Sequence, residues 1–113
     1  MTQTEQASGT DDTPARPTLS VIVPCYNEAD ALAGFFDTVP GVLDGLGVSW
    51  EIVAVNDGST DDTRDRLIAA ARGDRRVRAL DLSRNFGKEA ALTAGLDAAR
   101  GQAVVPIDVD LQD

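Results

Sequence analysis

The chain has 113 residues, 42% hydrophobic and 26% charged, a balance typical of one globular domain or part of one. Its 19 acidic residues outnumber 10 basic ones, and the net charge of −9 argues against a nucleic-acid partner. No apolar run reaches the roughly 18 residues that a membrane span needs, and there is no histidine to act as a base or ligand.

The amino-terminal stretch is polar and lacks the apolar region of a signal peptide. We predict a disordered leader over residues 1–18 and an ordered part over residues 19–113. The single cysteine, Cys25, cannot form an internal disulfide, which suits a reducing, cytoplasmic compartment. It is expected to be a small buried residue rather than a nucleophile, because nothing near it in sequence would activate a thiol.

Hydrophobic patterning predicts four strands alternating with three helices. The strands are predicted at residues 19–24, 50–55, 77–82 and 103–107. The continuous apolar run of the first, LSVIVP, is typical of a strand covered on both faces. The β-α-β-α-β-α-β order therefore predicts an α/β fold with a mostly parallel sheet and right-handed crossovers.

Capping residues and breakers set the expected helix ends. Asn27 is predicted to cap the first helix, and Pro40 with the following glycine to kink or split it. Before the second helix, Ser59 and Asp62 resemble a capping box, and Gly73 is placed to end that helix. The third helix is predicted over residues 86–100, and its many alanines would let it lie close to the sheet.

Polar clusters follow all four predicted strands. They are PCYNE, NDGS, SRNFGK and DVDLQD, in chain order. The carboxyl ends of parallel strands meet at one edge of a sheet, where ligands of such folds bind. The sequence therefore predicts that these clusters form one site.

The candidate site has no glycine-rich phosphate loop. Neither GxGxxG nor GxxxxGK[ST] follows the first strand, so a bound phosphate must be held in another way. Alternate residues of an extended segment point to the same side, so Asp108, Asp110 and Gln112 could present three oxygens to Mg²⁺ or Mn²⁺. The simpler alternative is a solvated acidic strand end.

Five further residues have both a structural and a functional interpretation. Asp57 is either a turn residue or a carboxylate that accepts hydrogen bonds from a base or ribose. Glu28 either favours a helix start or contacts a nucleotide. Tyr26 is a loop aromatic or packs on a ring of the ligand. Lys88 and Arg84 are surface charges or offset phosphate charge.

Together these segments resemble glycosyltransferase family 2. VIVPCYNEADAL is similar to the family's opening V-P-x-Y-N-E segment, and VAVNDGSTDDT to its D-G-S-x-D-x-T motif. LSRNFGKEAALTAGLDAARG and IDVDLQD resemble the subgroup that transfers sugars to polyprenyl phosphates, which includes dolichol-phosphate-mannose synthase-like and bactoprenol glucosyltransferase-like enzymes. The resemblance implies the nucleotide-sugar-binding half of a GT-A (Rossmann-like) fold, truncated after the Asp-x-Asp strand.

The resemblance also implies residue roles. The implied nucleotide-sugar-binding residues are Pro24, Tyr26, Glu28, Val55, Asp57, Lys88, Asp108 and Val109. The implied ligands of Mg²⁺ or Mn²⁺ are Asp108, Asp110 and Gln112. Val55 and Asp57 would contact the base. Arg84 is a further candidate near phosphate, whereas Asn56 replaces an aspartate common in the family and receives no role.

The implied activity is inverting, metal-dependent transfer of a sugar from a UDP- or GDP-sugar to a polyprenyl phosphate of the bactoprenol or dolichol type. Family members continue beyond the position of Asp113 with an acceptor half, and many add membrane helices. We therefore expect a fragment of a longer enzyme that contacts the membrane through those later segments, at its cytoplasmic face. The 113 residues alone are expected to be inactive, and no catalytic residue beyond the metal site is assigned.

Two alternatives remain. One is a non-catalytic remnant that binds nucleotide weakly or not at all. The other is a receiver-type signalling domain, which shares a doubly wound fold with clustered acids. A receiver needs an acidic pair after the first strand and a phosphorylatable aspartate after the third, where this sequence has PCYNE and SRNFGK.

Overall fold

The computed structural model describes residues 16–110. Within that range the strands and helices are β1 (Leu19–Cys25), α1 (Ala29–Gly45), β2 (Trp50–Asn56), α2 (Thr63–Gly73), β3 (Val77–Asp81), α3 (Lys88–Ala98) and β4 (Ala103–Pro106). The predicted alternation of strands and helices is confirmed. Gln112, one of the predicted metal ligands, and most of the predicted leader lie outside the described residues.

The strands form one parallel sheet in the order β3-β2-β1-β4. From β1 the chain crosses to β2 and β3 on one side, and it then returns across β1 to place β4 on the other side. Leu19 pairs with Ala103, and Ile22 pairs with Pro106. The order of strands thus reverses between β1 and β4, and in open α/β sheets the crevice beyond such a reversal is where ligands bind.

Alternate residues of β1 divide the core into two layers. Val21 and Val23 face the layer that holds α1 and α2, whereas Ile22 faces α3. On the α3 side a Cβ added to Gly95 would overlap the Ile22 side chain. The prediction that small residues bring the third helix close to the sheet is therefore supported at Gly95.

The start of α1 differs from the prediction. Asn27 does not cap the helix; it has φ 52°, and its side-chain oxygen accepts a hydrogen bond from the Thr60 N–H at 2.8 Å. Asparagine tolerates this left-handed conformation better than most residues. The helix begins at Ala29 and continues unbroken through Pro40 to Gly45, so the predicted split does not occur.

The predicted capping box before α2 is also absent. The Ser59 hydroxyl accepts a hydrogen bond from the Asn27 N–H at 3.0 Å, and the Asp61 carboxylate accepts one from the Thr63 N–H at 2.9 Å. The side chain of Asp62 makes no capping hydrogen bond. The β2–α2 loop is therefore bonded partly to the β1–α1 loop, a long-range contact that local patterns do not reveal.

A buried carboxylate joins the strands at the opposite, amino-terminal edge of the sheet. Glu51 accepts hydrogen bonds from the Ser20 hydroxyl at 2.6 Å, the Arg100 N–H at 2.7 Å and the Arg78 guanidinium at 2.9 Å. Burial acts to raise the pKa of Glu51, but these three hydrogen bonds outweigh it and leave the pKa lowered. The ionised carboxylate thus links β1, β2, β3 and the segment entering β4.

None of the helices within residues 16–110 combines the length and apolar character needed to cross a bilayer.

Candidate functional site

A cavity of about 460 Å³ lies beyond the carboxyl ends of β1 and β4, and we call it the carboxyl-edge cavity. Its lining consists of Pro24, Cys25, Tyr26, Glu28, Asp57, Asn85, Gly87, Lys88, Asp108, Val109 and Asp110. The clusters after β1, β2, β3 and β4 thus contribute to a single site, as the sheet topology predicts. Except for Val55, every predicted nucleotide-sugar-binding residue lines it.

Val55 is the predicted residue that the fold places elsewhere. Its side chain is fully buried with Ile22 and Ala91 in the core layer beneath α3. Neighbouring residues of a strand face opposite sides of the sheet, and this position faces the helix. The side chain of Val55 therefore points away from the cavity, and the contact with the base that the resemblance implied for this residue stays a prediction.

Asp57 holds the loop that precedes α3. Its carboxylate accepts hydrogen bonds from the Phe86 N–H at 2.8 Å, the Gly87 N–H at 3.0 Å and the Asn85 side-chain amide at 3.1 Å. The residue is 3% exposed. We call these three bonds the Asp57 clamp, and they place Lys88, the first residue of α3, at the cavity.

The turn after Asp57 fits closely against the same loop. Gly58 has φ +70°, and a Cβ there would collide with the backbone of Arg84 and Asn85. Asn85 and Gly87 are cavity residues that the sequence reasoning did not select, although it singled out the segment SRNFGK. The available signal was a side-chain amide and a glycine immediately before a helix that starts with lysine.

Acidic side chains form one wall of the cavity. We call Glu28, Asp108 and Asp110 the acidic wall. Burial raises the pKa of Glu28, and the charges of Asp110 and Asp108 raise it further. Lys88 faces this wall, with its Nζ 2.8 Å from Asp108 Oδ1, and this hydrogen bond and ion pair raise the pKa of the lysine. The wall therefore concentrates negative charge where a cation would be stabilised.

The chemistry of the acidic wall suits a hard divalent cation. Within residues 16–110 no three His, Cys, Asp or Glu side chains are close enough together to enclose a metal ion. Mg²⁺, however, commonly uses only one or two carboxylates and completes its coordination with phosphate oxygens and water. Asp108 and Asp110 beside an open cavity fit an ion that is shared with a bound diphosphate.

Tyr26, Arg84 and Cys25, which the sequence also singled out, differ in their relation to the cavity. Tyr26 is 46% exposed, so its ring is available to stack on a planar ligand. Arg84 does not line the cavity; its guanidinium lies over the Phe86 ring at 4.8 Å from the centroid. Burial, and then the charge of Glu28, raise the pKa of Cys25 to about 12. The thiol therefore stays protonated, as expected for a buried residue that is not a nucleophile.

A second cavity of about 460 Å³ lies at the amino-terminal edge and is lined by several arginines. Arg76 pairs with Asp44 and Asp74 at 2.9 Å each and lies over the Trp50 ring. Arg78 is paired with the buried Glu51. Arg76 and Arg78 are thus neutralised by neighbouring carboxylates, and the cavity lies at the end of the strands opposite to the predicted site. The carboxyl-edge cavity is therefore the stronger candidate.

Comparison with known proteins adds independent information. The profile of the family described as Glycosyl transferase family 2 matches residues 20–113. An uncharacterized glycosyltransferase, sll0501, from Synechocystis sp. is 50% identical over 95 residues, which cover 84% of this chain and 30% of the relative. The bactoprenol glucosyl transferase of Shigella phage SfV is also 50% identical over 95 residues, covering 84% and 31%.

Solved structures match the fold. The mannosyltransferase PcManGT from Pyrobaculum calidifontis, in complex with GDP-Man and Mn²⁺, has a TM-score of 0.69 at 30% identity, over 88% of this chain and 29% of that one. Glucosyl-3-phosphoglycerate synthase from Mycobacterium tuberculosis, in complex with Mn²⁺, UDP and glucosyl-3-phosphoglycerate, has a TM-score of 0.64 at 30% identity, over 82% and 33%. The chain spans about a third of the length of the proteins it matches.

Proposed function

Because the chain belongs to glycosyl transferase family 2, we propose that its carboxyl-edge cavity binds the nucleotide diphosphate of a sugar donor. The parallel α/β sheet and its solved glycosyltransferase neighbours confirm the predicted GT-A fold class. Membership of this family also removes the receiver-type alternative. Residues 19–113 would form the nucleotide-sugar-binding part of the enzyme.

One observation carries the proposal: Lys88 and the acidic wall line the same cavity, in contact through Asp108, at the reversal point of the sheet. A diphosphate is stabilised by positive charge. The Lys88 ammonium supplies one such charge, and a cation held by the carboxylates of the acidic wall would supply another. Its volume of about 460 Å³ is within the usual range of small-molecule sites. The exposed ring of Tyr26 at the rim would stack on the base or ribose.

Asp108 and Asp110 would hold Mg²⁺ or Mn²⁺, with Gln112 as a further ligand. When bound, the ion would offset the charge of the diphosphate and stabilise it as a leaving group. Two structural neighbours are described as complexes with Mn²⁺, one with GDP-Man and one with UDP. They support a UDP- or GDP-sugar as the donor class.

The proposed reaction is transfer to the phosphate of a polyprenyl carrier. A phosphate oxygen attacks the anomeric carbon, the bond from that carbon to the diphosphate breaks, and the nucleoside diphosphate leaves with inversion. A phosphate monoester is already anionic near neutral pH, since its second pKa is about 6, so little general-base catalysis is needed. The work of this chain's residues is to orient the donor and to stabilise charge.

The acceptor class is supported by the relatives named bactoprenol glucosyl transferase, one of which is 50% identical to this chain over 95 residues. Acceptor binding and contact with the membrane, at its cytoplasmic face, would require the part of such enzymes that this chain does not cover. The competing proposal is a remnant that retains the fold without useful nucleotide affinity.

The test is calorimetric titration of the chain with UDP and with GDP, with and without Mn²⁺. Binding should require Mn²⁺ and should weaken at least tenfold in Asp110→Ala, an effect of about 1.4 kcal/mol or more. The control variant Asp97→Ala removes an exposed carboxylate from α3 outside the cavity and should bind normally. Equal nucleotide affinity with and without Mn²⁺ would refute the proposed metal site. No binding of either nucleotide would favour the alternative of a remnant without useful nucleotide affinity.

A further inference from the structure

We propose that Lys88 and the divalent cation compete for the carboxylate of Asp108, so that cation binding releases Lys88 to take up the diphosphate of the donor. This inference rests on the proposed function and adds a coupling device to the same site. The Lys88 ammonium would contact the Asp108 carboxylate in one arrangement and the donor phosphate in the other.

The first support is the contact itself. Lys88 Nζ lies 2.8 Å from Asp108 Oδ1, so the ammonium occupies one of the oxygens that the cation would use. An ammonium and a divalent ion on one carboxylate also repel each other. Both cannot be held there at full strength, and binding of the ion must weaken or break the lysine contact.

The second support is that the ion pair can break easily. The side chains of Lys88 and Asp108 are 62% and 40% exposed. Ion pairs in such solvated positions contribute little net stability, because water and salt screen them and two flexible side chains must be ordered. A cation of higher charge can therefore displace the lysine.

The third support is that the backbone of Lys88 is held in place while its side chain can move. The Asp57 clamp holds Gly87, and Lys88 begins α3 immediately after it. The backbone is thus fixed while the four-carbon side chain remains free to turn from Asp108 into the cavity that it lines. The amino-terminal end of α3 adds positive potential for an anion at the same place.

Competition of this kind makes cation and diphosphate binding cooperative. Each ligand removes Lys88 from Asp108, so each lowers the cost of binding the other, and thermodynamic linkage requires the two effects to be equal. Part of the cooperativity would come from direct contact between ion and phosphate and would survive without the lysine. Loss of Lys88 should therefore reduce the coupling rather than abolish it.

The test compares the whole chain with Lys88→Met and Lys88→Gln. Free Mn²⁺ is followed by electron paramagnetic resonance, first without nucleotide and then with saturating UDP or GDP. Without nucleotide, both variants should bind Mn²⁺ about two- to fivefold tighter, the range expected for removing an exposed ion pair. With Mn²⁺ present, their nucleotide affinity should fall about five- to tenfold, from the loss of a charge-assisted hydrogen bond.

The matched control is Arg84→Met. It also removes one positive charge, from the loop that precedes α3, but its guanidinium lies over Phe86 and does not line the cavity. If the competition is local, Mn²⁺ affinity in this variant should stay within about twofold of the parent chain. Circular dichroism of all variants checks the fold, which a change at an exposed side chain should leave intact.

The outcomes separate this inference from the proposed function. Unchanged or weaker Mn²⁺ binding in both Lys88 variants would overturn the competition while leaving a metal-dependent donor site in place. An equal gain in Arg84→Met would show a general charge effect and would also overturn it. Absence of Mn²⁺ binding to the parent chain would refute the metal site and the competition together.

Discussion

Replacing Asp57 with asparagine should destabilise the protein through the loop before α3. The variant keeps the shape of the side chain but replaces one carboxylate oxygen with an NH₂ group. Oδ1 accepts from Phe86, whereas Oδ2 accepts from Gly87 and Asn85. Whichever way the new amide is oriented, its NH₂ group faces at least one N–H, so a donor of the clamp loses its acceptor.

The magnitude follows from the burial of the clamp. Asp57 is 3% exposed, so water has little access to the carboxylate side of these bonds. A buried unsatisfied donor costs about 1–3 kcal/mol, and the remaining bonds lose their charge assistance. We expect a total loss of about 2–4 kcal/mol in the free energy of unfolding, a large fraction of the roughly 5–15 kcal/mol typical of a domain.

The assay is urea unfolding followed by circular dichroism. The midpoint should fall with an unchanged slope, because the change affects stability rather than the surface exposed on unfolding. Asp37→Asn makes the same chemical change at an exposed position within α1 and should alter stability by less than about 0.5 kcal/mol. If Asp57→Asn behaves like this control, the clamp does not hold the loop and the reasoning is refuted.

Two further predictions concern the sheet. The pKa of Glu51 is below its ordinary value of 4.5, so its contribution to stability is fully present above that pH and is lost as the pH falls through the folded pKa. In Glu51→Gln, the free energy of unfolding measured with urea should therefore fall less steeply with pH below 4.5. An unchanged pH dependence would contradict this. Gly95→Ala should lower the free energy of unfolding by about 1–3 kcal/mol, because its Cβ would overlap Ile22. Gly34→Ala, with open space around it, should raise that free energy by about 0.5–1 kcal/mol. Equal shifts of the two variants in thermal unfolding would disprove the close approach of α3 to β1.

Sequence patterns predicted the sheet and the location of the site because both depend on regular periodicity. The continuous apolar run of β1 indicated a strand covered on both faces, and a parallel sheet brings the carboxyl ends of its strands together. The same periodicity predicted that Glu28, Lys88, Asp108 and Asp110 share one site, and the fold places all four around one cavity.

The errors arose where local patterns compete with long-range contacts. Asn27 is a good capping residue, but its side chain bonds Thr60, far along the chain. Pro40 was predicted to kink or split its helix, yet α1 is not split, because core residues lie on both sides of the proline, from Leu32 to Leu43. A motif also gives position in the chain but not the face toward which a side chain points, so the burial of the Val55 side chain beneath α3 could not be predicted from it.

The start of α1 also constrains the order in which the protein can fold. The N–H groups of Asn27, Glu28 and Ala29 donate to side chains of Ser59, Thr63 and Asp61, respectively, which lie 32 to 35 residues later. During synthesis, the first turn of α1 cannot gain these acceptors until the ribosome has released the β2–α2 loop. The completed first turn is therefore a late, cooperative product of two βα units, although its own residues are among the first to be made.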